Sequence, residues 1–175
     1  LAERNGKAAL SEALRTWQRG ASWLLLWGAP GTCKSGAAVA LLRELQASGG
    51  QGLFMLLNRV LDRMQATFGA SSLEPGYQEA FKTLVDAELL VLDDIGANRK
   101  PLSAWGQEQL FKIVDARDLN ERRTILTTNL PAGGGRTTFA DYIGAPTWSR
   151  IRGRCGRWIV ETTGPDQRGL DVEED

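Results

Sequence analysis

Gly28-Ala29-Pro30-Gly31-Thr32-Cys33-Lys34-Ser35 decides the reading of this 175-residue chain. The octapeptide follows the apolar run Trp23-Leu24-Leu25-Leu26-Trp27 and opens a stretch, Ser35 to Gln46, with Val39, Leu42 and Leu45 on one side. A strand, a glycine-bearing turn and a helix that starts on Lys-Ser make the layout of a phosphate-binding loop. Such a loop wraps anionic oxygens in successive backbone N–H groups at a helix N-terminus, while Lys adds a point charge and the hydroxyl a ligand for Mg²⁺. Gly28, Ala29, Pro30, Gly31, Thr32, Cys33, Lys34 and Ser35 are the expected phosphate-binding residues, with Ser35 also a metal ligand. The loop departs from G-x-x-x-x-G-K-[ST] at Cys33, where the pattern has glycine. If that position needs a positive φ, its Cβ costs of order 1 kcal/mol.

Three further segments carry chemistry that a bound nucleoside triphosphate needs. Leu89-Leu90-Val91-Leu92-Asp93-Asp94 reads as a buried strand, Glu88 to Leu92, that ends in two carboxylates. Asp93 is placed to hold Mg²⁺, usually through water, and Asp94 to orient or polarise an attacking water. Strands often end in Asp, but roughly sixty residues after a phosphate loop the pair becomes specific. Thr124-Ile125-Leu126-Thr127-Thr128-Asn129 is a second such strand, and Asn129 at its end is suited to bond a terminal phosphate or the lytic water. Satisfying a turn before Pro131 is the other use for that amide. Finally, Arg150, Arg152, Arg154 and Arg157 flank a helical segment, and Arg168 lies in Gly164-Pro165-Asp166-Gln167-Arg168. Guanidinium groups neutralise charge on a transferring phosphoryl group, also from a neighbouring subunit; a solvated basic face is the alternative.

The rest of the chain fits one domain around these segments. Helical spacing marks Ala8 to Gln18, Arg59 to Phe68, Tyr77 to Ala87 and Ser103 to Asn120, the last with Leu110, Ile113 and Val114 on one side and Arg117 where the apolar stripe stops. Phe139 to Ile143 and Thr147 to Cys155 are short helices. Strands are expected at Trp23 to Trp27, Gly52 to Asn58, Glu88 to Leu92, Arg123 to Thr128 and Arg157 to Glu161, and Gly69 to Gly76 is a loop. Strands alternating with helices predict a parallel sheet covered on both faces, an α/β class. With 42% apolar residues the chain can bury one core.

Composition removes several function classes. The 21 basic and 21 acidic residues cancel, so any nucleic-acid binding has to be local rather than driven by net charge. Charge is uneven, since residues 121–157 hold seven Arg against Glu121 and Asp141, and 161–175 hold six acids against Arg168. Cys33 and Cys155 are too few for a disulfide framework and fit a reduced, cytoplasmic protein. The apolar runs around Leu24 and Leu90 fall far short of the roughly 20 residues that span a bilayer. A first residue of Leu rather than Met suggests a piece, the C-terminal domain, of a longer protein.

Together the loop, Leu-Val-Leu-Asp-Asp-Ile-Gly-Ala, Leu-Thr-Thr-Asn-Leu, Trp-Ser-Arg-Ile-Arg-Gly-Arg and Gly-Pro-Asp-Gln-Arg resemble the ATPase domain of bacterial replicative helicase loaders of the DnaC/DnaI type, from about Asn5 to Arg168. The resemblance implies a P-loop AAA+ fold of five parallel strands in order 5-1-4-3-2, with ATP and Mg²⁺ bound between subunits of a nucleotide-dependent oligomer. It makes Lys34 and Ser35 the Walker A pair, Asp93 and Asp94 Walker B and Asn129 sensor 1. Arg150 looks like the arginine finger, ahead of Arg154, and Arg168 like sensor 2. It also implies the replicative helicase and single-stranded DNA as partners, the DNA meeting Arg59 and Arg63, with Phe68 either stacking on a base or, as its i+8 spacing with Val60 favours, packing in the core. Asp94 stands where many AAA+ proteins have Glu, so turnover is expected to be slow and stimulated by DNA or a partner. A transposition helper ATPase of the insertion-sequence (IstB) type, and an ATP-binding adaptor with little turnover, are the competing expectations.

Overall fold

Leu24, Leu25 and Leu26 are successive and all fully buried, which an element with one wet face could not accommodate. The computed structural model, which describes residues 11, 14, 15, 17, 20, 22–66, 75–97, 100–134 and 137–166, places them at the centre of a five-stranded parallel sheet. The strands are β1 (Trp23–Gly28), β2 (Gly52–Leu56), β3 (Leu89–Ile95), β4 (Arg123–Thr128) and β5 (Ile159–Thr162). Their order is β2-β3-β4-β1-β5, the expected 5-1-4-3-2 arrangement read from the other edge. The helices are α1 (Lys34–Ala47), α2 (Leu57–Ala66), α3 (Pro75–Asp86), α4 (Ala104–Leu119), α5 (Phe139–Ile143) and α6 (Ala145–Cys155).

Alternation along the strands divides the core in two. Trp23, Leu25, Leu90, Leu92 and Leu126 face a layer built from α2 to α6, whereas Leu24, Leu26, Leu89, Val91 and Ile125 face α1 and Trp17. Burying a leucine contributes roughly 1.5–3 kcal/mol, so these central strands anchor everything that hangs from their ends. Because all strands are parallel, their C-terminal ends share one rim, and the loops after β1, β3 and β4 meet there.

Several boundaries move from their expected places for local reasons. The second strand stops at Leu56 rather than Asn58, because Leu57, Val60, Leu61 and Met64 already form the buried stripe of α2. The helix expected from Tyr77 begins at Pro75, a residue tolerated in a first turn where no N–H is needed. β3 runs past Leu92 to Ile95, with a register shift between those residues. The last strand starts at Ile159 rather than Arg157, since the Trp158 N–H donates to the Cys155 carbonyl at 2.8 Å and closes a turn first. α6 opens at Ala145, two residues early, with Pro146 in its first turn. Ser103 and Asn120 prove to be the caps of α4, Ser103 Oγ accepting from the Gly106 N–H at 3.1 Å. Of the expected Ala8 to Gln18 helix, Ser11, Leu14, Arg15 and Trp17 are helical and the others lie outside the described residues, as do residues 69–74 of the expected loop.

Arg117 does not end the apolar stripe of α4; it is fully buried. Its guanidinium donates to the Leu84, Val85 and Ala87 carbonyls at 2.6, 3.1 and 3.0 Å, to Thr124 Oγ1 at 3.0 Å and to the Arg123 carbonyl. The side chain thus caps the C-terminal end of α3 and clamps it to the start of β4. Burial, reinforced by the charge of Arg122, pulls its pKa down to about 10, so it remains charged at neutral pH. Among the described residues no helix is long and apolar enough to cross a membrane.

Candidate nucleotide site

The turn between β1 and α1 is shaped by backbone conformations that most side chains avoid. Gly28 has φ 145° and Gly31 φ 78°, and Cys33, the residue before Lys34, sits in the left-handed region at φ 65°, ψ 20°. Cys33 is exposed, so its sulfur displaces nothing; the strain it carries is conformational. The Cys33→Gly protein should therefore be more stable by about 1 kcal/mol. Urea denaturation would read this as a higher midpoint at unchanged slope, and an unchanged or lower midpoint would contradict it. Cys155, by contrast, is buried and its thiol is pushed up to about 12 by desolvation, which keeps it protonated and inert.

Lys34 is 7% exposed and folds back over the turn, donating from Nζ to the Gly28 carbonyl at 2.9 Å, the Ala29 carbonyl at 2.6 Å and Thr32 Oγ1 at 3.3 Å. Ser35, in the first turn of α1, donates from Oγ to Asp93 Oδ2 at 3.0 Å. Asp93 Oδ1 accepts from Thr127 Oγ1 at 2.6 Å, and Thr127 Oγ1 in turn accepts the Asp94 N–H at 2.9 Å. Asn129 Nδ2 completes the chain by donating to Asp94 Oδ1 at 3.0 Å. The register shift in β3 falls at these carboxylates: Asp94 has φ 54°, a conformation L-residues hold only when their surroundings over-determine it. Here the Thr127 and Asn129 bonds supply that determination. Tyr142 of α5 lies against the same bend, its pKa raised by burial and by the Asp94 carboxylate and lowered by the Gly96 N–H, so it stays a neutral phenol.

Pro30 to Gly36, Asp93, Asp94, Ala97, Thr127 and Asn129 line one open cavity of about 480 Å³. Pro30 to Ser35 of the expected loop, Asp93, Asp94 and Asn129 are thus brought together, whereas the expected Gly28 and Ala29 do not line the cavity and bond Lys34 through their carbonyls. Thr127 is the member that sequence reasoning missed; its only signal is its place two residues before Asn129 on the same strand. Arg150 is not brought to the cavity. It pairs with Asp115 at 2.6 Å and Asp118 at 3.1 Å on α4, and Arg154 also bonds Asp118. That cluster adjoins Arg117, which reaches the start of β4, the opposite end of the strand from Asn129. The pairing engages two of the four arginines of the basic segment; Arg152 and Arg157, both exposed, take no part in it. Arg168 and Phe68 lie outside the described residues, and Arg59 and Arg63 are exposed on α2.

The donor set fits a magnesium-bound triphosphate. A glycine-bearing turn with positive φ, a Lys and a hydroxyl at the helix start, and a carboxylate bonded to that hydroxyl are the groups that polyphosphate and a hard cation require. Among the described residues no three His, Cys, Asp or Glu cluster together.

Fold and site together define a P-loop domain of the AAA+ class. Residues 7–155 match the model of the family described as IstB-like ATP binding protein, and the chain belongs to that family. It is 28% identical over 134 residues to the uncharacterized protein YdaV of Escherichia coli (strain K12), covering 75% of this chain and 50% of the relative. The chain therefore spans about half the length of that curated relative. Among solved structures the fold is similar to a DnaC helicase loader, with TM-score 0.71 and 24% identity over 85% of this chain and 86% of the other. It is equally similar, with TM-score 0.71 and 19% identity, to the replication initiator DnaA bound to AMPPCP and single-stranded DNA, over 88% of this chain and 45% of that one.

Proposed function

We propose that this domain is a slow ATPase switch acting in DNA replication as a helicase loader in the cytoplasm, gripping single-stranded DNA and a replicative helicase in a nucleotide-dependent oligomer. The observation that carries the ATPase reading is Asp93 fastened between Ser35 and Thr127, directly beside an Asp94 held by Asn129. Lys34 exchanges the Gly28 and Ala29 carbonyls for phosphate oxygens, and the N–H groups of the turn bind the same anion. Ser35 and Asp93 would hold Mg²⁺, which would supply charge neutralisation for the phosphates. Asp94 is the general base that polarises the attacking water, and Asn129 fixes that carboxylate and senses the terminal phosphate. A carboxylate one methylene shorter than Glu reaches less far, which favours a timer over a motor.

Arg150, and less favourably Arg154, serves the nucleotide of a neighbouring subunit, for which it has to leave Asp115 and Asp118. Arg168 serves the nucleotide of its own subunit. Arg59 and Arg63 on α2 meet DNA phosphates. Support for these partners comes from the helicase-loader relative and from the initiator solved with single-stranded DNA. The family description favours a second reading, a transposition helper that acts on duplex DNA.

ATP turnover and sedimentation measured with matched single- and double-stranded DNA separate the two. The loader reading expects single strands to stimulate hydrolysis and assembly more than duplex does, and Arg150→Ala to abolish the stimulation. A preference for duplex supports the transposition reading. A protein that stays monomeric with ATP and either DNA, and whose Arg150→Ala variant hydrolyses ATP normally, overturns both.

A further inference from the structure

Beyond β5 the chain does not leave the sheet freely but crosses the phosphate loop. A Cβ placed on Gly28 would stand 2.2 Å from the Thr162 carbonyl oxygen and 2.8 Å from its Oγ1. Thr162 Oγ1 and Thr32 Oγ1 share a hydrogen bond of 2.6 Å. Four residues further on, Asp166 is pressed onto Gly31: a Cβ there would meet Asp166 Oδ1 at 1.8 Å, Cγ at 2.1 Å and Cα at 2.7 Å. Gly31 is thus required twice, for φ 78° and for the space that Asp166 takes. Two contacts, one of them a carboxylate, therefore hold residues 162–166 against a loop whose donors are arranged for an anion.

We infer that residues 162–166 form a strap that lowers the affinity of the loop for nucleotide, with the Asp166 carboxylate opposing entry of the polyphosphate. The inference rests on the phosphate-loop reading above. Two negative groups within several ångströms at a partly solvated rim repel measurably, and the repulsion is screened by salt. Phosphates entering the loop displace Asp166 first, so residues 162–166 feel the occupancy of the site.

Calorimetric titration of Mg-ADP and Mg-ATP into the parent, Asp166→Asn and Asp166→Lys chains tests this at about 20 mM and about 300 mM salt, where the screening length differs several-fold. Asp166 is exposed, so neither change threatens the fold. Asn should bind roughly tenfold tighter than the parent at low salt, Lys tighter again, and both gains should shrink at high salt. Variants that bind no tighter than the parent, or whose gain ignores salt, overturn the strap while leaving the phosphate site standing. If no protein, the parent included, binds either nucleotide, the phosphate-loop reading itself falls and the strap with it.

Discussion

Lys34→Ala should lose roughly a hundredfold in affinity for Mg-ATP while keeping its fold. A charge-assisted hydrogen bond is worth about 1.5–3 kcal/mol, and each 1.4 kcal/mol is a factor of ten in binding. The ammonium is nearly buried at the loop, so little water screens its interaction with phosphate. Its bonds to the Gly28 and Ala29 carbonyls and to Thr32 are local to the turn, and Ala29 is exposed, so solvent can take up what the missing ammonium releases. Thermal unfolding makes the contrast visible. Ligand at a hundred times its Kd stabilises the parent by about 2.7 kcal/mol, whereas the variant at the same concentration should show almost no shift. Equal shifts in the two proteins would remove Lys34 from the site and the ATP reading with it.

The second large effect lies away from the site. Arg117→Met keeps an apolar stem of similar length but withdraws every donor that the Leu84, Val85, Ala87 and Arg123 carbonyls now use. Leaving buried acceptors unmet costs roughly 1–3 kcal/mol each. Part of that is offset because the guanidinium no longer has to be desolvated. A net loss of about 3–5 kcal/mol is expected, a drop in Tm of about 10 °C or more for a domain of this size. Arg117→Lys should recover only a fraction, because one ammonium cannot span acceptors on α3 and β4 together. A change below about 1 kcal/mol for Met in urea denaturation would show that the clamp contributes little.

What could be read in the sequence, and what could not, follows from the range of the interactions. Gly28 to Ser35 is legible because loop function resides in eight consecutive residues. Leu89 to Asp94 and Thr124 to Asn129 are legible because each pairs an apolar strand with polar groups at its end. Arg117 and Thr127 are not, since what defines them is a partner some thirty positions away: α3 carbonyls for one, the Asp93 carboxylate and the Asp94 N–H of β3 for the other. A single Arg after an apolar stripe looks the same in sequence whether it points to water or to a helix end. Asp166 is hidden in the same manner, because only the fold reveals that it lies on Gly31. The positive φ at Cys33 was foreseeable as a condition and is now an observed value. The shifted boundaries at Leu56, Pro75 and Ile159 reflect buried stripes and turn closures that override strand and helix patterning by two residues.

Gly144 is both the last cap of α5 and the first of α6, at φ 87°, with the Gln107 side chain 2.9 Å from where a Cβ would stand. A joint one residue long has only two soft dihedrals with which to absorb displacement. Only glycine meets both demands of that joint, so any side chain at position 144 would have to strain φ and push Gln107 aside, and the angle between the two helices would open with it.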